Sequence, residues 1–232
     1  MKKHVTLFSS VLMMSTTLLG AGGVFATEAS PKTANTPVTA ELTINETPSK
    51  PVAPVEPGEG GGDNTTDITG LYGIAYTPSA LSGRAELIEK GQQEIQLTNN
   101  KSTENKFNVG VQDKTRKNDQ QWVLKAKLTW EDDTNNYMSG TSITATGGNV
   151  KENKDGTLEE LTSGQVTTQA ENLSIGQISE SEIMKATNGQ TMNGVYNYQF
   201  QSPKLVIPNT ERVAAGTYSG NINWNLENTP TI

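Results

Sequence analysis

Apolar side chains recur at every second position in short runs through the C-terminal two-thirds of the chain. Tyr72, Ile74 and Tyr76 form one such run, and Phe107, Val109 and Val111 another. Trp122, Leu124, Ala126 and Leu128 follow, then Tyr196, Tyr198 and Phe200, then Leu205 and Ile207. The last run is Tyr218, Gly220, Ile222, Trp224 and Leu226. A period of two over short stretches predicts half-buried antiparallel strands. Gly147-Gly148, Asp155-Gly156, Asn188-Gly189 and Asn193-Gly194 are the strongest turn signals between them. Pro78, Pro203 and Pro208 fall at run ends, where a missing N–H does little harm. Asn149 to Gln177 is polar and weakly patterned and reads as long loops or edge strands. Ser179 to Ala186 carries the one helical signal, with Ser179 or Ser181 as N-cap and Glu180 and Glu182 in the first turn. The predicted fold is all-β: an antiparallel sandwich or barrel of roughly eight to twelve strands with one short helical insertion.

The chain before this domain has a different composition. Positions 1–26 have the layout of a secretory signal peptide: Lys2, Lys3 and His4, an apolar and small-residue stretch, then Val24-Phe25-Ala26 as a cleavage site. Residues 27–66 hold Pro31, Pro37, Pro48, Pro51, Pro54 and Pro57 and close on Gly60-Gly61-Gly62. Such a stretch is expected to be a disordered, proline-rich linker. Within it Val38, Ala40, Leu42 and Ile44 alternate, as an edge strand docking on the domain or as a solvated segment. Residues 67–232 make up the β domain, long enough to bury a core of its own.

Charge and composition then narrow the chemistry. Cleavage after Ala26 removes Lys2 and Lys3, taking the formal net charge from −7 to −9, and removes the single histidine. With no His and no Cys left, disulfides, thiol and Ser–His–Asp catalysis and histidine-ligated metals are excluded. An acidic chain without clustered Lys and Arg is not built for nucleic acid. No cofactor, no metal, no enzymatic activity and no transmembrane segment in the mature chain are expected.

Two Trp-x-Leu tripeptides stand out in specific surroundings. Trp122-Val123-Leu124 follows Val111-x-Asp113 and Arg116. Trp224-Asn225-Leu226 follows Ala215-Gly216-Thr217-Tyr218-Ser219-Gly220-x-Ile222 and precedes Asn228-x-Pro230. This arrangement resembles the WxL domain family of low-GC Gram-positive bacteria, over roughly residues 67–232. Gln121 stands where the family usually has glycine before the first Trp. The resemblance implies a secreted protein of the cell surface, held non-covalently on the wall with peptidoglycan as ligand. It also implies assembly with other WxL proteins and a membrane-anchored companion. The alternative is an interaction subunit that binds those proteins rather than glycan directly. No Leu-Pro-x-Thr-Gly motif or lipobox cysteine points to a covalent anchor.

Trp122, Leu124, Trp224 and Leu226 are the candidate ligand-contacting residues. Residues two apart on a strand share a face, so each Trp–Leu pair belongs either to a sugar-stacking platform or to the core. Core is favoured, because Trp224 continues the series Tyr218, Ile222, Leu226. Glu131-Asp132-Asp133 is the densest carboxylate cluster, and a solvated turn explains it better than Ca²⁺ binding or glycan hydrolysis. Lys114, Arg116 and Lys117 form a small basic loop. N-terminal sequencing of secreted material should find Thr27 first; a retained Met1 would rule the signal peptide out.

Overall fold

The structure is a computed structural model that describes residues 34–55, 62–102, 104–162, 164–186 and 189–229. The signal-peptide region lies outside the described residues. The chain divides into a unit Met1–Leu42 and a unit Thr43–Ile232. In the first, residues 34–42 are exposed and make no strand. All of the strands belong to the second.

In chain order these are β1 (Asp63–Thr65), β2 (Tyr72–Pro78), β3 (Gln93–Gln96), β4 (Lys106–Asp113), β5 (Trp122–Trp130) and β6 (Ser142–Lys154). After them come β7 (Thr157–Glu159), β8 (Val166–Thr168), β9 (Leu173–Ile175), β10 (Ser181–Ala186), β11 (Gly194–Ile207) and β12 (Gly220–Asn228). Every pairing is antiparallel. The larger sheet runs β1-β2-β4-β11-β6-β7, with β3 on the second half of β11 and β9 on the first residues of β6. The smaller sheet runs β12-β5-β10-β8. The fold is all-β, and the two antiparallel sheets share one main core.

The core is built from the alternation. Phe107, Val109 and Val111 of β4 and Tyr196, Tyr198 and Phe200 of β11 face Trp122, Leu124, Ala126 and Leu128 of β5. The rings form a packed series: Phe107–Phe200 centroids are 5.7 Å apart, Tyr198–Phe200 6.0 Å and Trp122–Tyr196 6.1 Å. Tilted and offset rings of this kind add to the stabilisation from burial alone.

Three expectations are corrected. The short helical insertion does not exist: no helix occurs among the described residues, and Ser181–Ala186 is β10, paired with both β5 and β8. A register shift between Glu182 and Met184 puts Ile183 and Met184 side by side in the core, and this bulge masks the period of two. Pro203 does not end a strand. Ser202 (φ +53°) and Pro203 form a bend inside β11, where the register against β6 shifts between Gln201 and Lys204. Gly147-Gly148 is likewise no turn. Gly147 (φ +65°) sits in a bulge of β6, a strand that extends to Lys154 in the stretch read as long loops or edge strands.

The proline-rich segment is also not wholly detached. Pro48, Pro51 and Pro54 recur every three residues, the repeat of polyproline geometry, which places them along one edge. Pro51 and Pro54 are buried while Val52 and Val55 stay exposed. Lys114 Nζ donates to Ser49 O (3.2 Å), Asn153 Nδ2 to Val52 O (2.8 Å) and Val55 N to Gly156 O (3.1 Å). β1 then begins at Asp63, inside the span read as linker.

The side chains of Tyr76 and Asp63, with the arm beyond them, lie against the outer face of β4 and β11, and all of β4 but Lys106 is buried. The polar partners of the alternation are therefore enclosed too, and they satisfy one another. Tyr76 Oη donates to Asn197 Oδ1 (2.9 Å) and accepts from Asn153 Nδ2 (2.8 Å). Asn197 Nδ2 donates to Asn108 Oδ1 (2.9 Å), and Asn108 Nδ2 donates to Asp63 Oδ2 (2.9 Å). The Tyr76 ring lies flat on Gly110: a Cβ there would come within 2.3 Å of it, so only glycine fits.

Burial raises the Asp63 carboxyl from 3.8 to about 6, although hydrogen bonds from the Asn108 side chain and backbone oppose the shift. A folded pKa above the unfolded one means that this group's stabilisation is full below about pH 4. It is lost as pH rises through about 6. Asp63→Asn removes that dependence. The difference in unfolding free energy between variant and parent, read from denaturant titrations, should move in favour of the variant from pH 4 to pH 7, by about 1–2 kcal/mol. A constant difference over that range would show that Asp63 titrates normally.

Candidate functional site

The two tripeptides lie on neighbouring strands. β12 pairs with β5 along its full length, from Gly220 opposite Trp130 to Asn228 opposite Trp122. This register sets Leu226 opposite Leu124, with Trp224 opposite Ala126. All four motif side chains point to the core face, one indole at each end of the leucine pair. Each indole meets a ring of β11: Trp122 meets Tyr196, and Trp224 meets Phe200 at 6.5 Å.

Their environments differ. Trp122 and Leu124 are fully buried. Trp122 Nε1 donates to Asp113 Oδ2 (3.3 Å), which also accepts from Thr191 Oγ1 (2.6 Å), while Asp113 Oδ1 accepts from Thr115 Oγ1 (2.7 Å). Asp113 is itself fully buried, so the carboxylate, the two hydroxyls and the indole form a closed network. Arg116 follows in the left-handed region (φ +58°), its N–H on Met192 O (2.8 Å), and turns the loop that returns the chain to Trp122. The spacing Asp113-x-x-Arg116…Trp122 is thus a folding device.

Trp224 and Leu226 are only half-buried, because β12 is the edge of the smaller sheet. Beside that edge runs a groove of about 530 Å³, open to solvent. Its lining includes Trp130, Tyr218, Ile222 and Trp224, and residues 77–83, the end of β2 and the loop after it, among them Leu81. Trp130 is fixed by its Nε1 donating to Thr141 Oγ1 (2.9 Å), and Tyr218 by its hydroxyl donating to Ala214 O (2.7 Å). Trp224 has no such hydrogen bond among the described residues. Ser82, Thr217, Ser219 and Asn221 place hydroxyl and amide groups along the rim. No Asp, Glu, Lys or Arg lines it among the described residues.

The remaining candidates are taken up locally. Asp133 accepts Tyr137 N (2.7 Å) on Oδ1 and Met138 N (2.8 Å) on Oδ2, which caps a turn. Glu131 accepts from Asn221. No group of three metal-ligating side chains occurs among the described residues. Pairing alone could not reveal the groove: Trp130 and Tyr218 lie far from each other in sequence, and residues 77–83 carry no aromatic signal.

No helix among the described residues is long and apolar enough to cross a membrane. No curated protein and no solved structure matches the chain. A family model does, over residues 29–230: the WxL domain, described as surface cell wall-binding. That span includes both Trp-x-Leu strands and the groove between them and residues 77–83. The chain belongs to the WxL family of cell-wall-binding surface domains.

Proposed function

We propose that the protein is secreted and binds peptidoglycan reversibly through the groove beside β12, without turning it over. The observation that carries this is the combination of half-exposed Trp224 with Trp130 and Tyr218 along an uncharged, elongated groove. The C–H faces of sugar rings pack on aromatic faces, and rim hydroxyls and amides take up the sugars' hydrogen bonds. A groove without formal charge suits a neutral glycan better than a phosphate polymer. Glycan hydrolysis needs two carboxylates flanking the scissile bond, and this groove offers none. In this reading Trp224 contacts ligand, Leu226 and Leu124 support it, and Trp122 acts only through folding.

A second reading, an interaction subunit bound to other WxL proteins or to a membrane-anchored companion, draws on the free edge of β12. Co-sedimentation with purified sacculi separates the two. The secreted chain should pellet with protein-free sacculi, release in strong denaturant, resist reducing agent and leave no soluble muropeptides. Because the chain carries a formal charge of −9 once Lys2 and Lys3 are removed, sacculi that retain phosphate polymers should hold it better at moderate salt. Trp224→Ala should weaken pelleting at least tenfold with a modest loss of stability. Trp122→Ala should cost about 3–5 kcal/mol and abolish folding. Pelleting that appears only after a companion protein is added would replace glycan recognition by the second reading.

A further inference from the structure

We propose that residues 38–45 of one molecule add as a strand to the free edge of β12 in a second copy, covering its groove. The acceptor is an edge that lacks the usual protections. Soluble β proteins blunt their edges with short strands, bulges, proline or lysine. β12 is nine residues long, has no Pro or Lys and pairs with β5 without a register shift. Its outer side meets no strand among the described residues. The apolar groove lies directly beside that open ladder.

The donor is in the same chain. Residues 38–45 read Val-Thr-Ala-Glu-Leu-Thr-Ile-Asn, apolar at every second position, with threonine at two of the positions between. They make no strand, and Val38 is 88% exposed and Leu42 92%. Alternating apolar side chains held in solvent are costly unless something covers them. Pro37 and Pro48 bracket the segment and confine pairing to the window between them. Eight residues of strand span about 27 Å, close to the length of a nine-residue partner. When the segment adds to β12, Val38, Ala40, Leu42 and Ile44 face the groove and Thr39, Glu41 and Thr43 face water.

A second copy fits better than the molecule's own edge. Ser49, anchored by Lys114, and the buried Pro51 lie on the outer face of the larger sheet, whereas β12 belongs to the smaller sheet. Between Ile44 and Ser49 the chain reaches at most about 18 Å. Within this molecule residues 38–45 form no strand and pair with none of the described strands, β12 included. Reciprocal exchange closes a two-fold dimer, and one-way donation gives open chains. If the groove is also the glycan site, strand and glycan exclude each other; that consequence alone rests on the peptidoglycan reading.

Sedimentation equilibrium of residues 27–232, without sacculi, tests the proposal. The parent should associate with rising concentration. A variant lacking residues 34–45 and the variant Leu42→Glu should stay monomeric with unchanged melting temperatures, since both alter only exposed chain. A synthetic peptide of residues 37–47 should bind the deletion variant and shift its tryptophan fluorescence to the blue, and the same peptide carrying Leu42→Glu should bind about tenfold more weakly or worse. A parent that remains monomeric at every concentration overturns the proposal, whether its segment is free or folded onto its own groove. So does a deletion variant that associates as strongly as the parent. Pelleting with sacculi is read separately: association without pelleting defeats the glycan reading and supports this one, and pelleting without association does the reverse.

Discussion

The pairing of β5 with β12 in one register, against the ring series of β11, is the constraint on which the molecule depends. Leu124 meets Leu226 across the ladder, and the indoles on either side rest on Tyr196 and Phe200. A slip of one residue would turn Trp224 and Leu226 to the solvent face and take the Trp224 indole away from Phe200. Repetition of the tripeptide thus has a structural meaning. Two short copies, about a hundred residues apart, become one antiparallel unit that ties the smaller sheet to the larger.

The same unit is asymmetric, and the asymmetry gives its two indoles different surroundings. β5 is interior to its sheet, so its Trp122 is enclosed and its indole N–H is satisfied by buried Asp113. β12 is an edge, so its Trp224 keeps one flank open to the groove. Identical residue types in identical spacing therefore take different roles because of their place in the sheet order. The edge that exposes Trp224 also exposes a full-length ladder, so the half-buried indole and the unpaired backbone lie on one surface.

Burial of β4 on both faces explains much of the unusual composition. The domain has few aromatic residues and much Asn, Gln and Thr, and many of these are inside. Asn108, Asn153, Asn197 and Tyr76 pass hydrogen bonds from β1 to the proline arm, and the desolvation cost of each is offset by the next. Asp63 ends this chain and feels its low polarity.

The strands of the core were legible because alternation at Phe107–Val111, Trp122–Leu128, Tyr196–Phe200 and Ile222–Leu226 reports local geometry that any neighbour must accept. The family was legible for the same reason, since its two tripeptides lie on such strands. What failed were positions where a distant partner outweighed a local preference. Ser179–Ala186 has the caps and carboxylates of a helix start, yet the open edge of β5 draws it into a sheet, and its bulge hides the alternation. Gly147-Gly148 and Ser202-Pro203 carry turn chemistry, but fall in successive register shifts of the β6–β11 pairing, the first opposite Phe200 and the second opposite Ala145. The polar stretch around Asn153 read as long loops or edge strands because the arm that buries it lies a hundred residues earlier. By itself, then, the sequence determined the core strands and the family, both of which rest on neighbouring residues. Tertiary structure alone decided which Trp is enclosed and which faces a groove, because exposure depends on the order of strands in a sheet, and no local pattern encodes that order.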